Sequence, residues 1–108
     1  MTGNNEWCAV TQTSRIIARK WYPVIIDRLL DGSKRFGELK ASMNGISSKV
    51  LSDSLVKLEN DNLVSREVHD TRPVTVNYSL TQMGMDLKRV LEEMREWGDS
   101  WLRATASA

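Results

Sequence analysis

Between Arg35 and Thr81 the apolar pattern changes period within one stretch of chain. Phe36, Leu39 and Met43 recur at three- and four-residue spacing, Asn44-Gly45 interrupts, and Leu51, Leu55 and Leu58 resume the helical spacing. Beyond Asp61-Asn62 the spacing falls to two. Val64, Val68, Val74, Val76, Tyr78 and Leu80 alternate with polar residues. Spacings of three and four place side chains on one face of a helix, and a spacing of two places them on one face of a strand. The order is therefore helix, turn, longer helix, two-stranded hairpin. That order constrains the fold more than any other feature: it is a helix-turn-helix followed by a wing.

Local signals set the boundaries. Ser33 is expected to cap the first helix of the pair, with Lys34 and Arg35 in its opening turn. Ser47 suits the N-cap of the second. Ile46 and Leu51 flank that cap at the spacing of a hydrophobic staple. Asn62 is the usual substitute for glycine in the left-handed position that ends a helix, and Leu63 folds back onto the last turn. The strands are predicted over Leu63 to Val68 and Val74 to Leu80, around a tip of His69-Asp70-Thr71-Arg72-Pro73. A proline at that margin fits an edge hairpin.

The flanks read less sharply. Residues 1–13 look like a polar arm, with Trp7, Cys8 and Val10 as anchors. Ile16, Ile17 and Trp21 have helical spacing. Pro23 predicts a break near Arg19 to Tyr22 and a new helix from Tyr22 to Leu30, stopped by Asp31-Gly32. Thr81 caps a last helix expected from Gln82 to Arg103. Its apolar residues Met83, Leu87, Val90, Met94, Trp97 and Trp101 alternate three and four apart, the seam of a helix that lies along another. Leu91 and Leu102 widen it. A chain of 108 residues makes one domain: an arm (1–13), a winged helix core (14–80), a C-terminal helix (81–103) and a frayed tail (104–108). One subunit that small has little with which to cover the stripe. A two-fold partner covers it, so a homodimer is expected, with Trp21, Leu87, Val90, Leu91, Met94, Trp97 and Trp101 at its interface. The fold class is mainly α with a small β-hairpin: a winged helix-turn-helix with an extra C-terminal dimerisation helix.

Composition removes several functions. Formal net charge is +1, which argues against coating nucleic acid by bulk charge but leaves room for a local basic face. No apolar run approaches a membrane span, and the first residues lack the pattern of a signal peptide, so a cytoplasmic protein is expected. One cysteine and one histidine, far apart, speak against a disulfide framework and a zinc site. Gly-rich phosphate loops, HExxH and GxSxG are missing, and neither catalysis nor a cofactor is expected.

Double-stranded DNA is the partner this arrangement suits. Ser47, Ser48, Lys49, Ser52, Asp53, Val56 and Lys57 lie off the leucine stripe, where a second helix reaches base edges. Lys34, Arg35, Arg66 and Arg72 are placed to meet phosphates, and an arginine at a wing tip suits the minor groove. The other reading of each residue is a solvated charge. For the whole chain the other reading is a protein-interaction module that keeps the fold without reading DNA. Cys8 is either a thiol that senses oxidants or electrophiles, or a small buried anchor. Trp21, Trp97 and Trp101 either pack core and interface or line a cavity for a small effector.

At these residues the chain resembles the HxlR-type family of winged helix-turn-helix regulators. The matching pieces are Cys8; Lys20-Trp21; Arg35-Phe36-Gly37-Glu38-Leu39; Gly45-Ile46-Ser47 with Lys49-Val50-Leu51; Leu55, Leu58-Glu59 and Leu63-Val64; Tyr78-Ser79-Leu80-Thr81 with Gly84; and Glu96-Trp97-Gly98. The resemblance implies a homodimer joined through its terminal helices and bound to a two-fold operator, more often repressing than activating. It also implies a sensing role for the early cysteine, here Cys8. Ala9 stands where the family usually has proline, and Ser54, Thr75 and Asn77 depart from frequently charged positions.

Overall fold

A computed structural model describes residues 6–103; the first five residues of the expected arm and the expected tail over 104–108 lie outside them. The chain does not wait until residue 14 to become helical. α1 runs Ala9–Ile17, inside what reads as an arm. None of its residues is fully buried within the chain, and Ile16 near its C-terminal end packs against the core. α2 spans Tyr22–Leu29, with Pro23 in its first turn, where a missing N–H costs nothing. It buries Tyr22, Ile25, Ile26 and Leu29.

Ser33 is not the cap expected of it. Lys34 and Arg35 form a two-residue strand, β1, and the helix begins after them as α3, Phe36–Ala41. The Arg35 N–H donates to the Glu38 carboxylate at 2.8 Å and closes the start of α3. A polar turn through Gly45, at φ 83°, leads to α4, Ser48–Asn60. There the local chemistry matches expectation. The Ser47 hydroxyl accepts from the Val50 N–H at 3.1 Å. Ile46 and Leu51 are both buried. Asn62 sits at φ 63°, and Leu63 folds back so that its N–H donates to the Leu58 carbonyl at 3.0 Å.

The wing is β2 (Val64–His69) and β3 (Thr75–Leu80), antiparallel and in register from Val64–Leu80 to His69–Thr75. It is a sheet rather than a hairpin alone. β1 pairs with the far edge of β3, Lys34 opposite Tyr78 and Arg35 opposite Asn77, giving the order β1-β3-β2.

The single C-terminal helix expected from Gln82 to Arg103 is broken. α5 covers Gln82–Met85, α6 covers Lys88–Gly98, and a π-helical turn, Asp99–Arg103, follows. The first turn is tied to the corner between α4 and β2. The Thr81 hydroxyl donates to the Asn62 carbonyl at 2.7 Å and accepts from the Gly84 N–H at 3.1 Å. With α5 held there, the chain turns at Asp86-Leu87 before α6 can pack. The core joins α2, α3 and α4 with Ile46, Leu63 and Val64, and α6 contributes Leu91. Asp27 of α2 accepts from Arg28 at 2.9 Å and pairs with Arg95 of α6, while Arg28 Nε donates to the Ser42 carbonyl at 3.1 Å. α2 thus bridges the C-terminal helix and the end of α3.

Candidate nucleic-acid interface

α4 buries Leu51, Leu55 and Leu58 and turns its other side outward. Ser48, Lys49, Ser52, Asp53 and Lys57 are all exposed on it. Lys49 and Asp53 are not independent: Nζ and Oδ2 lie 2.9 Å apart, one helical turn from each other. Val56 is also exposed among these polar residues, an apolar group suited to a thymine methyl. Ser47 differs from its neighbours, because its oxygen is taken up by the Val50 N–H. Its hydroxyl proton is what remains for a partner.

An open groove of about 390 Å³ separates α4 from the sheet, and Ser52, Val56, Glu59, Arg66 and Tyr78 line it. Arg66 on β2 is therefore brought to the recognition face. Arg72 lies in the turn between β2 and β3, exposed, beside a tip closed by the Thr71 hydroxyl donating to the Pro73 carbonyl at 2.8 Å. Lys34 and Arg35 sit on the opposite edge strand, immediately before α3, and not in a helical turn. One acidic group, Glu59, lines the groove with Arg66. Glu67 on β2 meets His69 Nε2 at 2.8 Å.

The residues expected at a subunit interface divide into two sets. Val90, Met94, Trp97 and Trp101 are exposed, the last two at 60% and 65%. Leu91, Leu87 and Trp21 are not on that face. Leu91 is buried in the chain's own core, and Leu87 and Trp21 pack against it. α6 carries apolar residues on two sides, one for the core and one facing out, and a single seam read from sequence merges them. The outward side continues onto α1, where Ala9, Val10, Thr13 and Ile17 line an open groove of about 370 Å³ with Val90 and Met94. Ala9, Val10 and Thr13 fell within the expected arm, with Val10 as an anchor, whereas Ile17 was read as helical; Ala9, Thr13 and Ile17 stand four apart. A second groove of about 890 Å³ runs along α6, with Met94, Trp97 and Leu102 rimmed by Arg89, Glu92 and Glu93.

Cys8 is exposed, not a buried anchor. It precedes α1 in extended backbone, at the N-cap position. Its thiol closes no capping hydrogen bond, yet it is held below the ordinary thiol range. The Thr11 hydroxyl contributes most, followed by the backbone amides of Thr11 and Val10, all of which favour the thiolate at a helix N-terminus. The basic residues of α1 are not the cause. Among the described residues no group of three or more His, Cys, Asp or Glu could hold a metal ion, and no helix is long and apolar enough to cross a membrane.

A winged helix whose second helix presents an exposed polar face defines a DNA-binding transcription regulator. The profile of the HxlR-like helix-turn-helix family matches residues 16–106, and the chain belongs to that family. It is 38% identical over 97 residues to the HTH-type transcriptional regulator YybR of Bacillus subtilis (strain 168), covering 90% of this chain and 78% of that protein. It is 35% identical over 99 residues to YodB of the same organism, another HTH-type transcriptional regulator, covering 92% and 88%. Among solved structures, the redox regulator HypR in its reduced form superposes with a TM-score of 0.84 at 35% identity, covering 94% of this chain and all of that one. HypR in its oxidised form superposes at 0.80 with 38% identity, covering 86% and 96%. YybR is described as an uncharacterized HTH-type transcriptional regulator, YodB as an HTH-type transcriptional regulator and HypR as a redox regulator.

Proposed function

We propose that this protein is a cytoplasmic repressor that binds a two-fold operator as a homodimer, and that Cys8 tunes its affinity to oxidants or electrophiles. The observation that carries this reading is the division of the surface. α4 presents Ser48, Lys49, Ser52 and Asp53 on an exposed polar face with Arg66 lining the groove beside it, while a separate surface is the apolar face of α1 and α6. Pairing two copies through the apolar face gives two recognition helices related by a two-fold axis. Half-sites are then spaced by about one helical turn of DNA, roughly 34–36 Å, or a multiple of it. Ser48, Lys49, Ser52 and Asp53 read bases. Lys34, Arg35, Lys57, Arg66 and Arg72 position the backbone.

Selection of bound sequences from a random duplex pool tests this. A palindromic consensus is expected, and its binding weakens steeply with salt as counterions are released. No enriched sequence, and no duplex bound at any salt, would favour the protein-interaction reading instead. Replacing Lys49 with Ala is expected to weaken operator binding by about 1–3 kcal/mol, as for loss of a bidentate base contact. Fluorescence anisotropy with labelled operator measures it. Unchanged Kd removes Lys49 from the base-reading set.

The comparisons with HypR, described as a redox regulator in oxidised and reduced forms, support an effector acting through the thiol. The lowered Cys8 pKa gives a direct check. The thiolate is the reactive form, so alkylation of Cys8 should reach its plateau at a lower pH than for an unperturbed cysteine. Thr11→Val, which removes the largest contributor, should move the midpoint upward. Oxidant should change operator affinity in the native protein and leave Cys8→Ser unaffected. Equal responses from both proteins exclude Cys8 as the sensor.

A further inference from the structure

The recognition helix carries an ion pair that helix stability does not account for. Lys49 is the second residue of α4 and Asp53 lies one turn further on, with Nζ and Oδ2 at 2.9 Å. Helices gain from acidic side chains in the first turn and basic ones in the last, and the acid-before-base order is the better one at this spacing. Here the order is reversed, and the first turn of α4 holds no acid. Both side chains are widely exposed, 84% and 58%, so the pair adds little to the fold. It lies opposite Leu51, Leu55 and Leu58, beside Ser52 and Val56. The hydrogen bond to Asp53, and then its charge, raise the Lys49 pKa.

We propose that Asp53 is a specificity-positioning residue that acts through Lys49, holding its ammonium in a neutral pair on the groove-facing side of α4 so that it is released to a base and withheld from phosphate. The inference rests on the DNA-reading function above. A bare lysine near a helix N-terminus, added to the free amides there, would grip any phosphate on any duplex. Paired, it reaches a phosphate only by leaving a carboxylate close to the anionic backbone. In the major groove at a G·C pair both partners are satisfied: Lys49 donates to guanine O6 or N7, and Asp53 accepts from the cytosine amino group. The pair therefore favours G·C recognition over sequence-independent binding.

The test compares the native protein, Asp53→Asn, Lys49→Ala and the double variant on the selected operator and on a scrambled duplex, over a salt series. Asp53 is exposed, so Asp53→Asn should keep the native circular dichroism spectrum and Tm. It should tighten binding to the scrambled duplex by roughly three- to tenfold and steepen the salt slope by about 0.9, one added phosphate contact. The operator-to-scrambled ratio should fall, and pool selection should lose a G·C preference at one position per half-site. In the Lys49→Ala background the same substitution should leave scrambled binding nearly unchanged. An unchanged scrambled Kd and salt slope overturn the proposal. An equal effect in both backgrounds overturns it too, since Asp53 would then act by its own charge. If the native protein prefers no sequence, the DNA-reading function itself fails and takes this inference with it.

Discussion

Replacing Trp97 with Glu is expected to turn the proposed dimer into a monomer and to lower affinity for the proposed operator by roughly 10²–10⁴-fold, the loss of a linked second half-site. Trp97 is 60% exposed on α6, beside Met94 and Leu102 and rimmed by Glu92 and Glu93. Trp97 is mostly exposed and lies outside the core of the single subunit, so the monomer should keep its fold and circular dichroism spectrum. In the dimer the same position would place an unpaired charge in the apolar contact, where aromatic anchors carry a large share of the binding energy. Sedimentation velocity reads the subunit state, and anisotropy on full and half operators reads the affinity. Half-site binding should be nearly unchanged, because α4 is untouched. A variant that stays dimeric removes the α6 face from the interface. One that becomes monomeric with full operator affinity removes dimerisation from the mechanism.

The parts of the fold that were legible in the sequence are those whose cause is local. Ser47 caps α4 through an amide three residues away, and Asn62 ends it through its own backbone conformation. Residues that depend on distant partners were not legible. β1 is two residues long and exists because β3, more than forty positions on, pairs with it. Arg95 and Asp27 meet across the fold from positions 68 apart. α1 was misread at its N-terminal end, where Ala9, Val10 and Thr13 are exposed; the helix meets the chain's own core at its other end, through Ile16. The C-terminal seam was visible, but not its division between the chain's own core (Leu87, Leu91) and an outward face (Val90, Met94, Trp97). Apolar spacing reports that a residue is covered and does not report by which molecule. On α4, the residue types and the exposed face were legible. The Lys49–Asp53 pair needed the side-chain geometry, and so did the meeting of Arg66 with Ser52 and Val56 across a groove.

Gly84→Ala is expected to destabilise the protein by about 3 kcal/mol, at the upper end of overpacking costs, against the helix propensity that favours alanine by about 1 kcal/mol. A Cβ at this position would lie 2.3 Å from the Leu63 carbonyl oxygen, 3.3 Å from its carbonyl carbon and 3.1 Å from Leu80 Cδ2. The first two are backbone, and that backbone has nowhere to go. The Leu63 carbonyl accepts from the Thr81 N–H at 3.1 Å, its N–H donates to Leu58 at 3.0 Å, and its side chain is fully buried. Moving it would pull the end of α4 away from the start of β2. Moving α5 instead would break the Thr81 hydroxyl's bonds to Asn62 and Gly84. Either way the corner that joins the recognition helix, the wing and the C-terminal helices must open. At fixed protein concentration the Tm should drop by roughly 10–20 °C. Gly37→Ala is the control, because a Cβ on that glycine of α3 meets nothing within 4 Å. It should leave stability unchanged or raise it by up to about 1 kcal/mol. Urea unfolding followed by tryptophan fluorescence measures both variants. Opposite signs at the two glycines are the expected result, and a Gly84→Ala protein as stable as Gly37→Ala would show that the corner is not the rigid joint through which α5 and α6 are held to the DNA-reading unit.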